Sequence, residues 1–144
     1  MSNIRTILIF CSLTFLVSCG EEDPSGKGHS NRGVTDDEII LGSFSDLSGP
    51  VAVWGVGSVN GARMRFAEVN EAGGVHGRKI RFVVEDTSYQ VPKAISAANK
   101  LINRDNVLAM LLGVGTPMNN ALMPTLFEAG VPNFFPISGG RQMD

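Results

Sequence analysis

The chain has 144 residues, 43% of them apolar and 18% charged, with a net charge of −2 and a pI near 5.6. That length accommodates one globular domain at most, and the composition is that of an ordinary folded chain. The acidic balance argues against nucleic acid, which asks for a basic face, and beyond the first residues no apolar run is long enough to span a membrane.

Arg5 is the one charged residue at the start, and Thr6 to Val17 form an apolar run of about a dozen residues, the length of a signal-peptide core. The run closes on Leu16-Val17-Ser18-Cys19-Gly20, which resembles a bacterial lipobox. That resemblance implies a lipoprotein signal peptide over 1–18 and a lipidated N-terminus at Cys19, which ties the protein to a membrane of the cell envelope. Gly20 is not the Asp that, by the same resemblance, marks inner-membrane retention. Cys11 then lies in the removed segment and Cys19 carries lipid. The mature chain keeps no thiol pair for a disulfide or a metal site, and two His residues give no basis for a His-based site. Residues 19–33 are polar, with Glu21, Glu22, Asp23, Pro24, Ser25, Gly26 and Lys27. They read as a flexible tether, and the folded domain is expected over 34–144.

From Val34 the chain alternates. Ile39 to Phe44 reads as a buried strand. Val59, Ala62, Phe66 and Val69 recur at helical spacing, and Gly73-Gly74 ends that helix because glycine takes the left-handed C-terminal conformation cheaply. Ile80 to Val84 is a second strand. Ala94, Ile95, Ala98, Leu101 and Ile102 form a second helical stripe. Val107 to Leu112 is a nearly continuous apolar run, suited to a strand covered on both faces. Met118, Leu122 and Leu126 predict a third helix, which Pro124 should kink or shorten because it cannot donate to the Asn120 carbonyl. Val131 to Ile137, with Pro132 and Pro136 near its ends, reads as a fourth strand. The alternation predicts an α/β fold, a parallel sheet with helices on both faces and right-handed crossovers. Ligands of such sheets lie beyond the carboxyl ends of the strands, which selects four segments here: Ser45 to Trp54, Asp86 to Gln90, Gly113 to Pro117, and Ile137 to Gly140.

Gly113-Val114-Gly115-Thr116-Pro117 opens the third helix, with Thr116 as expected N-cap and Pro117 as first helical residue. The segment is either only a well-capped helix start or an anion cradle, in which glycine permits close approach and N–H groups with the Thr hydroxyl receive a carboxylate. It is neither Gly-x-Gly-x-x-Gly nor a P-loop, so nucleotide readings are poor. Trp54, the only tryptophan, is either a core aromatic or a flat wall for an apolar ligand group. Asp46 reads as a turn former, and Asp86 as the residue that holds the strand–helix loop or touches ligand. His76 is expected to be exposed and inert, and Arg65 with Glu68 forms a weak surface pair. A phospho-acceptor site fails for want of an acidic pair after the first strand and a Lys after the last. No Ser-His-Asp, Cys-His or carboxylate-pair context points to catalysis, so the chain does not read as an enzyme and no cofactor is expected.

Three blocks carry a family resemblance: Leu47-Ser48-Gly49-Pro50-Val51-Ala52-Val53-Trp54-Gly55, Asn60-Gly61-Ala62-Arg63, and Gly73-Gly74-Val75-His76-Gly77-Arg78-Lys79-Ile80. Together they resemble the type I periplasmic solute-binding proteins of ABC importers, most closely the leucine/isoleucine/valine-binding family. The resemblance covers Ile39 to Met143 and implies a partial N-terminal lobe of the type I periplasmic-binding-protein fold. It implies ligand contacts from Trp54, from Gly115 and Thr116, and from Ile137, Ser138 and Gly139, with Thr116 on a carboxylate and Ile137 acting through its backbone. Two departures weaken the grip on an α-amino acid. Gly139 stands where the leucine-binding members carry a Thr hydroxyl, and Pro117 removes an N–H beside Thr116.

The expected function is therefore the substrate-binding component of an ABC importer. It would capture a branched-chain amino acid or a related amino-acid, carboxylate or amide solute and deliver it to a permease in the inner membrane. The alternative is an extracytoplasmic sensing module of the same fold without a transport role; a third reading is a flavodoxin-like enzyme or nucleotide binder. Because the family continues into a second lobe that closes by a hinge, the sequence reads as a fragment with little affinity of its own and an open sheet edge.

Overall fold

The computed structural model describes residues 32–140; the expected signal peptide, Cys19, most of the tether and the last four residues lie outside them. The elements run β1 (Glu38–Ser45), α1 (Ala52–Glu71), β2 (Lys79–Asp86), α2 (Val91–Asn103), β3 (Ala109–Leu111), α3 (Thr116–Glu128) and β4 (Asn133–Phe134). The strands form one sheet in the order β2-β1-β3-β4, and every pairing in it is parallel. The fold starts slightly before Val34. Gly33 presses its Cα side against the Leu108 backbone, and Arg32 donates to the Ile102 carbonyl at 2.9 Å.

Alternation along the strands decides which helix each residue meets. Ile40 and Phe44 of β1 belong to a core with Ala94, Ala98, Leu101, Met110, Met118, Leu122 and Leu126, so α2 and α3 cover one face. On the opposite face α1 lies against Ser45 and Asp46 at Gly55. In β2 the neighbours Phe82 and Val83 divide in the same way. Phe82 meets Phe66 of α1 edge to face at 5.2 Å, whereas Val83 packs on the α2–α3 core. Helices therefore stand on both faces.

Several elements differ from the reading of the sequence, each for a local reason. The third strand keeps only Ala109–Leu111 of the apolar run, because the Val107 N–H turns back to close α2 on the Leu101 carbonyl. The fourth is reduced to Asn133–Phe134. Pro132 and Pro136 have no N–H for the ladder, and Phe135 between them adopts φ 52°; pairing resumes only at the Val114–Ile137 bridge. Helix α3 is not shortened by Pro124 but runs on to Glu128. Both Pro124 and Asn120 are exposed, so the orphaned Asn120 carbonyl faces water while Met118, Leu122 and Leu126 stay buried. In α2 the packed stripe takes Ala97 rather than Ile95, which is 43% exposed.

Helix α1 ends as expected at Gly73-Gly74, both at positive φ, with the Gly74 N–H on the Val69 carbonyl at 2.8 Å. Beyond that end, the Asn70 side chain donates to the Ile80 carbonyl and accepts from the Ile80 N–H. It thereby covers part of the outer edge of β2, where an unpaired strand would otherwise offer its backbone.

Candidate functional site

The order β2-β1-β3-β4 makes the chain reverse direction between β1 and β3, and in such sheets the carboxyl ends at the reversal form a crevice. An open hollow of about 320 Å³ lies there. Val51 and Trp54 enter it from the β1–α1 turn, Tyr89 from the β2–α2 loop, Val114, Gly115 and Thr116 from the β3–α3 turn, and Ile137, Ser138 and Gly139 from the chain after β4. The sequence-expected residues Trp54, Gly115, Thr116, Ile137, Ser138 and Gly139 thus come together. Val51, Tyr89 and Val114 were missed. Tyr89 is the only tyrosine and sits in one of the four strand-end segments, the one signal that could have found it.

Each wall has a local cause. Asp46 is fully buried, and its carboxylate accepts from the Gly49 N–H at 2.6 Å and the Val51 N–H at 2.9 Å. It therefore shapes the turn before α1, as its reading as a turn former anticipated. Gly55 lets α1 approach that turn, since a Cβ there would fall 1.8 Å from the Asp46 carbonyl oxygen. Trp54, one residue earlier, is 64% exposed and lines the hollow rather than the core.

Asp86 binds the neighbouring loop. It accepts from the Leu47 N–H at 2.9 Å, the Ser48 hydroxyl at 2.5 Å and the Ser88 N–H at 2.9 Å. Partial burial pushes its carboxyl up, but the hydrogen bonds from Ser48, Leu47 and Ser88 outweigh that and hold it at about 2. The same loop keeps Ser88 at φ 46° and Tyr89 at φ 57°, conformations that cost side-chain-bearing residues energy. The clamp on Ser88 thus helps to set Tyr89 against Gly115, whose Cβ would come within 2.8 Å of the ring.

The third wall departs from expectation by one residue. Gly115, at φ 102°, is the N-cap and Thr116 is the first residue of α3. A Cβ at Gly115 would meet both Met118 and Tyr89, so glycine is required for its conformation and for its space. Freed from capping, the Thr116 hydroxyl oxygen accepts from the Ser138 hydroxyl at 3.0 Å and the Gly139 N–H at 3.2 Å. A hydroxyl has two acceptor positions and one proton; with both positions filled, its proton is the group left for a ligand. Ile137 uses its N–H on the Gly113 carbonyl and its C=O on the Gly115 N–H. Its backbone is therefore engaged in the sheet, with one carbonyl lone pair remaining. Elsewhere, His76 is exposed, and Arg65 and Glu68 pair at 2.9 Å in solvent. Among the described residues no group of His, Cys, Asp and Glu could hold a metal ion.

Comparison with known proteins gives this geometry a family. The model of the family described as periplasmic binding protein matches residues 38–142. The leucine-specific-binding protein of Salmonella typhimurium is 36% identical over 73 residues, which are 51% of this chain and 20% of that protein. The fatty acid ABC transporter substrate-binding protein from Thermomonospora curvata superposes with a TM-score of 0.66 at 37% identity, over 75% of this chain and 26% of that one. The branched-chain amino acid transporter substrate-binding protein of Streptococcus pneumoniae, solved in complex with isoleucine, gives 0.69 at 27% identity over 73% and 30%. The chain thus spans from a fifth to under a third of the length of these relatives. With its parallel α/β sheet, its hollow at the strand reversal and a family match over most of its length, the chain belongs to the periplasmic binding protein family.

Proposed function

We propose that this chain supplies one solute-contacting wall of the substrate-binding component of an ABC importer. In this reading the protein resides in the cell envelope, lipid-anchored through Cys19 after removal of residues 1–18, with residues 19–31 as the tether. It captures a small solute with an apolar body and a carboxylate or amide head, the class that includes branched-chain amino acids, and hands it to an inner-membrane permease. The observation that carries the reading is the hollow at the strand reversal, where Trp54 and Tyr89 offer apolar faces and Thr116 an uncommitted hydroxyl proton. The relatives add support: one carries the name of a leucine-specific binder, one of a fatty acid transporter component, and one was solved with isoleucine. All three names describe binding rather than chemical conversion.

Mechanistically, the solute's head lies on the Thr116 hydroxyl at the positive end of α3, and its tail lies along Trp54, Val51 and Tyr89. A second lobe closing about a hinge would complete the enclosure. The hollow is open to solvent, so the test uses millimolar solute. The chain is titrated with L-leucine, L-isoleucine, 4-methylpentanoate and octanoate while Trp54 emission and the Thr116 amide resonance are followed. At least one solute should move both signals saturably, and Thr116→Val should weaken that solute about tenfold through loss of one charge-assisted hydrogen bond. If no solute perturbs either probe, the proposal fails.

A further inference from the structure

Ser88 and Tyr89 stand side by side in the left-handed region, at φ 46° and φ 57°. Neither is glycine, so each conformation has a cost that the surroundings must offset. Three groups hold the pair in place. The Asp86 carboxylate accepts from the Ser88 N–H at 2.9 Å and from the Ser88 hydroxyl at 3.2 Å. The Lys93 ammonium donates to the same hydroxyl at 2.9 Å. Behind them Thr87 is fully buried. Its hydroxyl accepts from the Tyr89 N–H at 3.3 Å and donates to the Ser45 carbonyl at 3.3 Å.

The β1–α1 turn is locked onto this loop. Asp86 also accepts from the Leu47 N–H and the Ser48 hydroxyl, and the Ser48 and Ser88 hydroxyls lie 2.8 Å apart. A Cβ at Gly49 would fall 2.7 Å from the Ser88 carbonyl carbon, so the two loops meet with no room for a side chain between them. One carboxylate thus joins the segment that carries Val51 and Trp54 to the segment that carries Tyr89. Asp86 itself does not line the hollow. A backbone rotation at Ser88 would redirect the residue that follows it. That residue is Tyr89, whose ring leans on Gly115 beside Thr116.

We infer that Asp86 is a positioning residue for the solute wall: it holds Ser88 in the left-handed conformation, so fixes the Tyr89 ring against Gly115, and sets the affinity of the hollow without touching solute. This rests on the reading of the hollow as a solute site, and the test separates the two. The Gly115 amide shift in two-dimensional NMR reports the ring without any solute, with Tyr89→Ala as the ring-free reference. Titration with 4-methylpentanoate, followed at Trp54 and Thr116, reports affinity. Asp86→Ala should move the Gly115 resonance most of the way to its position in Tyr89→Ala and weaken the solute about fivefold. Glycine takes positive φ without a steric penalty. Adding Ser88→Gly to Asp86→Ala should therefore bring both readouts at least halfway back, a rescue that a merely structural role would not give. An unmoved Gly115 resonance in folded D86A, or a displaced one that S88G fails to restore, would overturn the inference while leaving the site in place. Should D86A lose amide dispersion, Ser48→Ala is read instead. It removes one donor from Asp86, and the Gly115 resonance should move the same way by less; no movement overturns the inference. If the solute moves neither Trp54 nor Thr116 in the wild-type chain, the claim on affinity falls with the site, and the Gly115 shifts still decide whether Asp86 sets the ring.

Discussion

Single residues carry much of the geometry, and their effects can be separated. Asp86 is exposed yet holds two loops together, and its carboxyl is lowered from 3.8 to about 2. A group depressed in the folded state contributes stability above its unfolded value and loses it as pH falls through the folded value. The β1–α1 and β2–α2 loops should therefore loosen between about pH 4 and pH 2. Because solvent screens the group, the effect on global stability is small; amide hydrogen exchange at Leu47 and Ser88 is the sensitive readout. In Asp86→Asn this acid dependence should disappear, and persistence of the full dependence in that variant would assign it elsewhere. Gly55 and Gly57 lie two residues apart in α1 with opposite expectations. A Cβ at Gly55 would collide with the Asp46 carbonyl, whereas one at Gly57 meets nothing within 4 Å. Urea unfolding should show Gly55→Ala destabilised by about 2–3 kcal/mol and Gly57→Ala stabilised by about 0.5–1 kcal/mol.

At the scale of elements, α3 shows how packing overrides propensity. A proline inside a helix removes a hydrogen bond and crowds the preceding turn, and the sequence alone predicts a kink or an early end at Pro124. The helix continues because its buried stripe of Met118, Leu122 and Leu126 gains more from the core than the exposed Asn120 carbonyl loses. Pro124→Ala restores that bond, and the chain should gain about 1–3 kcal/mol, read from the urea midpoint. A loss of stability would mean that the proline ring itself is packed. Strands β3 and β4 show the converse. Apolar runs of about strand length shrink to Ala109–Leu111 and Asn133–Phe134. Backbone groups of Val107 and Phe135 go to closing a helix and to a left-handed turn, which hydropathy does not record.

For the whole molecule the two faces of the sheet are unequal. One face is sealed by α2 and α3 over a continuous core. On the other, α1 buries only Gly55 and Val59 fully, and Val53, Val56 and Met64 stand exposed. Helix α1 should therefore open at lower free energy than α2. Native-state hydrogen exchange should place α1 amides in a sub-global unit, with α2 and α3 amides exchanging only through global unfolding. Equal protection of all three helices would contradict this asymmetry.

The sequence by itself determined the α/β alternation, the helix stripes apart from Ile95, the end of α1 and the strand-end segments where a ligand site belongs, because each is a local property of spacing and turn chemistry. Only the tertiary structure decided which segments meet. Thr116 and Ser138 lie 22 residues apart, and Leu47 and Asp86 lie 39 apart. Tyr89 reaches Gly115 through the order β2-β1-β3-β4, which no single window of sequence contains. The hydrogen bonds from Asn133 to Asn119, and from Asn119 to the Gly113 and Gly115 carbonyls, are hidden for the same reason. An asparagine on a helix reads as a surface residue until the neighbouring strand buries it and the turn beneath it supplies two carbonyls.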